Sequence, residues 1–86
     1  MRRVIGIDLA ITAESRACVT DTTGEVLAER GFHIRRHELE ALLEVASAGM
    51  TENDELLVVM EPTSSMWIAP TAFFRSRGAR VHLVPT

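Results

Sequence analysis

Residues 56–61 read Leu-Leu-Val-Val-Met-Glu, five apolar side chains closed by a carboxylate. A run this short is the expected signature of a strand covered on both faces. Residues 4–8, Val-Ile-Gly-Ile-Asp, repeat the pattern nearer the start of the chain: a β-branched apolar run ending in an acid, with Gly6 inside it suggesting close backbone approach. Two buried strands that both finish on a carboxylate, Asp8 and Glu61, set the question the remaining sequence must answer, which is whether the two ends meet.

The elements between these runs are legible from their punctuation. Residues 16–20 (RACVT) predict a second strand and residues 25–32 (EVLAERGF) a third, joined through Asp21-Thr22-Thr23-Gly24, residues that tolerate a tight or left-handed backbone. From His37 to Ala48, Leu39, Leu42, Leu43 and Ala46 recur at helical spacing, with Gly49 as the expected cap. A polar turn over residues 51–55 leads into residues 56–60. A second helix is expected between Ser64 and Arg77, stopped by Gly78, and Pro70 requires that it either start there or kink early. Ser64 and Ser65 are expected to cap it. Residues 80–84 (RVHLV) predict a last strand. The order β-β-β-α-β-α-β, with right-handed crossovers, gives an α/β fold with the mixed five-stranded sheet of the RNase H-like arrangement, strands four and five running parallel to strand one. If strands one and four are neighbours, Asp8 and Glu61 converge at carboxyl ends, where crevices form in open sheets.

Bulk properties narrow the class without deciding it. Eighty-six residues make one small domain, 47% hydrophobic and 24% charged, an ordinary globular balance and not that of a disordered chain. The net charge of −3 supplies no electrostatic argument for nucleic-acid binding. All nine basic residues are arginine, seven of them in the groupings Arg2 with Arg3, Arg35 with Arg36, and Arg75 with Arg77 and Arg80. They are read either as solvated surface charge or as phosphate contacts, and Arg35, Arg36 and Thr12 are the candidates for touching nucleic acid. The single cysteine, Cys18, rules out an internal disulfide and a cysteine-based zinc site, and with no apolar run near membrane-spanning length the expectation is a reducing cytoplasm. His33, His37 and His82 show no ligand spacing. Trp67, Phe73 and Phe74 are read as core.

Two converging carboxylates repel unless a proton or a cation intervenes. Mg²⁺ suits them because it is hard, prefers oxygen and is commonly held by one or two carboxylates plus water and phosphate. Asp8 alone reads as a turn or capping residue sooner than as a ligand. Glu61, directly before a proline, has no capping task that Ser or Asp would not do better.

At this point the residues resemble a known family. Residues 6–10 (GIDLA), the DTTG turn at 21–24, residues 60–67 (MEPTSSMW) and residues 81–86 (VHLVPT) are together similar to the DEDD transposases of the insertion sequence 110 family and the related pilin-gene invertases. The resemblance covers the N-terminal, RuvC-like half of such proteins, so residues 1–86 are expected to be the N-terminal part of an RNase H-like domain, with the C-terminal transposase domain absent. It implies a tetrad of acids binding Mg²⁺, with Mn²⁺ able to substitute. Asp8 corresponds to the first and Glu61 to the second; the other two acids, and a serine nucleophile, have no counterpart here. DNA is the implied partner, together with a structured bridge RNA acting through the full-length parent. Pro62 and Met66 stand where the family pattern has Ala and Tyr. The parent is therefore expected to be an enzyme that cleaves and transfers DNA strands, and these 86 residues alone to be inactive. An additional helix that would cover the sheet is expected beyond them, so the fragment is expected to self-associate through an uncovered apolar face. Three other readings share features of the chain: a Holliday-junction resolvase-like nuclease, the N-terminal lobe of an actin-like or sugar-kinase ATPase, and a truncated, non-catalytic oligomerising domain. The ATPase reading wants glycine just after Asp8, where Leu9-Ala10-Ile11 offers none.

Overall fold

The computed structural model describes residues 1–11 and 13–85. Its elements follow the predicted order: β1 (Arg2–Asp8), β2 (Ser15–Thr20), β3 (Val26–Phe32), α1 (Arg36–Ser47), β4 (Glu55–Met60), α2 (Ile68–Ser76) and β5 (Arg80–Leu83). They form one five-stranded sheet in the order β3-β2-β1-β4-β5. The β1–β2 and β2–β3 pairs are antiparallel, and the β1–β4 and β4–β5 pairs parallel. That is the mixed sheet expected of an RNase H-like α/β fold.

Local chemistry accounts for the joints. In the β2–β3 connection, Asp21 Oδ1 accepts hydrogen bonds from the Thr23 and Glu25 backbone N–H groups and from the Thr23 hydroxyl, while Gly24 takes φ +87°. Ahead of α1, the Glu38 carboxylate accepts the His33 N–H at 2.7 Å and so fixes how the chain enters the helix. Past its end, Gly49 is left-handed at φ +79°. α1 has no basic residue in its own last turn. A residue distant in sequence supplies the cation: the Arg3 guanidinium donates to the carbonyls of Ala46 (3.0 Å) and Ala48, groups a helix C-terminus leaves unsatisfied. Arg2 pairs with Glu55 at 3.0 Å across the β1–β4 pair. The Arg2–Arg3 pair is therefore structural.

Helix α2 does not begin at Pro70. It starts at Ile68 and carries Pro70 as its third residue, where the missing N–H has no intrahelical acceptor to lose. The expected capping by Ser64 and Ser65 is not found. Trp67 occupies the cap position with no side-chain hydrogen bond, and Ser64 sits at φ 52° in a turn that separates it from the helix.

Both helices pack on the same face of the sheet and touch each other. The core lies between: Ile5, Ile7 and Leu9 of β1 and its extension, Ala17 and Val19 of β2, Leu56, Val58 and Met60 of β4, and Phe32, against Leu39, Leu42, Ala46 and Phe74. Trp67 and Phe73 are half-buried against it. The alternate residues face the other way, onto a side that no helix among the described residues covers. The expectation that β4 is buried on both faces is corrected accordingly: Leu57 and Val59 are only half-buried, because the two helices serve one side of the sheet alone.

Candidate metal centre

The open face carries the acids. In the parallel β1–β4 pair Gly6 lies opposite Val59 and Ile7 opposite Met60, and the next residue on each strand is the carboxylate, Asp8 on one and Glu61 on the other. Strand alternation that turns Ile5, Ile7, Val58 and Met60 into the core turns Asp8 and Glu61 together onto the open face, at the carboxyl ends of two central strands. Both side chains are exposed. Among the described residues neither forms an ion pair nor accepts a side-chain or backbone hydrogen bond, so the protein has not spent their oxygens elsewhere.

They border a shallow cavity of about 430 Å³ whose lining includes Gly6, Asp8, Arg16, Cys18, Glu29, Val59, Glu61 and Val84. Its floor is low because Gly6, one step below Asp8 on the same face, contributes no side chain; a Cβ there would meet nothing nearer than the Cys18 carbonyl at 3.9 Å. The close approach that Gly6 suggested is thus room above the sheet. The loop that follows Asp8 is tied down by Ser15, whose buried Oγ accepts the Ala10 N–H at 3.1 Å.

Two hard oxygen donors, exposed, unpaired and one strand apart, suit Mg²⁺, which keeps several waters and needs only one or two carboxylates from the protein. Among the described residues no group of three or more His, Cys, Asp or Glu side chains could enclose an ion, so the donor set is partial.

The remaining candidates fall elsewhere. Thr12 lies outside the described residues. Arg35 and Arg36 stand at the start of α1, on the helix side of the sheet, where they line a different cavity with Ile34, Leu39, Phe73 and Arg77. Both have acidic neighbours, Glu38 at 4.0 Å from Arg35 and Glu40 at 3.8 Å from Arg36. The structure does not bring them to the carboxylates. It does bring Arg16, which the sequence reading passed over: Arg16 is the cross-strand partner of Asp8 on β2. The signal was present in the hairpin register, but fixing that register requires the path of residues 9–14.

No helix among the described residues is long and apolar enough to cross a membrane. Residues 5–86 match the family model for the DEDD transposases of the insertion sequence 110 type, described as a transposase. No curated protein and no solved structure gives a significant match.

Proposed function

Because the chain belongs to the DEDD transposase family of insertion sequence 110, we propose that residues 1–86 are the N-terminal part of its RNase H-like catalytic domain and that Asp8 and Glu61 are two of the acids that hold Mg²⁺ for DNA strand cleavage and transfer. The observation that carries this reading is the register: the two carboxylates finish adjacent parallel strands and share one open face. Asp8 and Glu61 would hold the ion, which would supply Lewis-acid stabilisation of the charge developing on oxygen in a displacement at phosphorus. The protein's part is geometric. β1 and β4 fix the spacing of the donors, Ser15 holds the loop behind Asp8, and the cavity over Gly6 leaves room for a backbone phosphate.

Two acids make only part of such a site, so these residues by themselves bind metal without turning over DNA. Self-association belongs to the same reading: half-buried Val4, Leu57 and Val59 on the open face, and exposed Val26 and Leu27 along the β3 edge, leave apolar surface for a second molecule or a further segment to cover. The bridge RNA expected of the family is supported by membership alone.

Titration of the 86-residue chain with Mn²⁺, followed by paramagnetic broadening of backbone NMR signals, tests the metal assignment. Broadening centred on Asp8 and Glu61 that Glu61→Ala abolishes is the expected result. Broadening that ignores the substitution, or that centres on another acidic group, would overturn it.

A further inference from the structure

Beside Asp8, on the open face, stands a cation, Arg16. Across the top of the sheet the register runs Gly31, Arg16, Asp8, and then Glu61 on the neighbouring strand. Glu14 folds back over Gly31, its carboxylate occupying the space where a Cβ would stand, 2.3 Å from that position. Glu29 lines the same cavity as Asp8 and Glu61. Arg16 thus has Asp8 on one flank and Glu14, over Gly31, on the other, and shares its cavity with Glu29 and Glu61. Among the described residues it nevertheless forms no ion pair, whereas Arg2, Arg35, Arg36 and Arg77 each do. Arg3, Arg30, Arg75 and Arg80 also form no ion pair among the described residues, but they do not line this cavity.

We propose that Arg16 is a phosphate-binding residue of the carboxylate site, holding a DNA backbone phosphodiester against a metal ion carried by Asp8 and Glu61. The inference rests on the metal reading above and adds to it a residue with a distinct task. A divalent ion neutralises Asp8 and Glu61 but leaves Glu14 and Glu29, so a phosphate approaching the cavity still meets net negative charge. One strand spacing, about 4.8 Å, separates the Arg16 backbone from that of Asp8, which puts the guanidinium beside any phosphate shared with the ion. The planar fork of arginine matches two phosphate oxygens at once, and it remains charged at every working pH. An arginine recruited only to neutralise Asp8 would be paired with it. This one is adjacent and uncommitted.

The test follows the Arg16 side-chain Nε–H signal by NMR in the 86-residue chain, first with Mg²⁺ alone and then with the thymidine dinucleotide, the smallest DNA phosphodiester, added at saturating Mg²⁺. The dinucleotide is expected to shift the Arg16 signal. Arg16→Gln should weaken dinucleotide binding at least about tenfold, because the phosphate loses charge-assisted hydrogen bonds, and Arg16→Lys should fall between. Mg²⁺ affinity in Arg16→Gln should be unchanged or tighter, because a positive charge has left the neighbourhood of the ion. Equal dinucleotide affinity in wild type and Arg16→Gln overturns the inference and leaves the metal site standing. Parallel loss of Mg²⁺ and dinucleotide in Arg16→Gln also overturns it, showing a scaffold role. Mg²⁺ that leaves Asp8 and Glu61 unmoved in the wild type removes the metal reading itself, and the role of Arg16 with it.

Discussion

Glu61→Gln should stabilise the metal-free chain, an unusual direction for a substitution at the end of a central strand. Asp8 and Glu61 each follow the Ile7–Met60 pair by one residue, on the same face of adjacent parallel strands. Taking the strand spacing of about 5 Å as their separation, two unit charges in water repel by about 0.8 kcal/mol. The sign agrees with the rule that like charges directly opposite in a sheet are destabilising. Glutamine keeps the shape and removes the charge, so the expected gain is about 0.8 kcal/mol, or a rise in Tm of about 3–6 °C for a domain of this size. Thermal unfolding by circular dichroism at low ionic strength measures it. Two controls bind the gain to the pair. In ~1 M salt, where the screening length falls to about 3 Å, the gain should shrink. Once Asp8→Asn is in place, Glu61→Gln should add little, giving a coupling energy close to the repulsion itself. Mg²⁺ should raise the Tm of the wild type and not of Glu61→Gln. A Glu61→Gln protein that melts lower at low salt, or singles that sum to the double mutant, would show that the carboxylates do not face each other.

Ser15→Ala leaves the Ala10 N–H without its acceptor in a site where Ser15 is only 2% exposed. It should cost about 1–3 kcal/mol by denaturant unfolding and weaken metal-induced broadening at Asp8 more than at Glu61. Phe74, fully buried and packed edge-on against Phe73 with ring centroids 5.2 Å apart, anchors α2. Phe74→Ala should remove about 3–5 kcal/mol, most of the stability expected of so small a domain, and the loss of near-ultraviolet dichroism would report it. Acid should also destabilise the fold. Hydrogen bonds from the Thr23 side chain to Asp21, from the His33 backbone to Glu38 and from the Thr51 backbone to Asp54 hold all three carboxyls below their usual values of 3.8, 4.5 and 3.8. Folded pKa values lower than unfolded ones give stability that is present above those usual values and lost as pH falls through the depressed ones. Melting temperatures should therefore be level down to about pH 5 and drop below pH 4, with a shallower drop in Asp21→Asn.

The elements were legible because each is bounded by residues with a local reason to stop. Asp21 through Gly24 specify a turn, Gly49 ends α1, and the runs at 4–8 and 56–60 are too short and apolar for anything but strands. The acids at their ends followed from the same reading. Tertiary placement of the faces was not legible. Leu57 and Val59 look as buried as Val58 in a sequence, and only the position of both helices on one side separates them. The start of α2 at Ile68 is not legible, because a proline in the first turn leaves no sequence trace of where that turn begins. Arg3 capping α1 and Arg16 standing beside Asp8 join residues far apart in the chain, and no local pattern encodes either.

The register that pairs Arg2 with Glu55 joins residues 53 positions apart, and the same offset brings Asp8 to Glu61. The β2–β3 hairpin can form from local contacts, whereas the β1–β4 ladder must wait for a long loop to close, the slow kind of contact in folding. An unfolded chain therefore contains no chelate, only two distant acids. An ion held by both belongs to the native state alone and acts as a latch fitted after closure: it should slow the opening of the β1–β4 pair while leaving the rate of folding nearly unchanged.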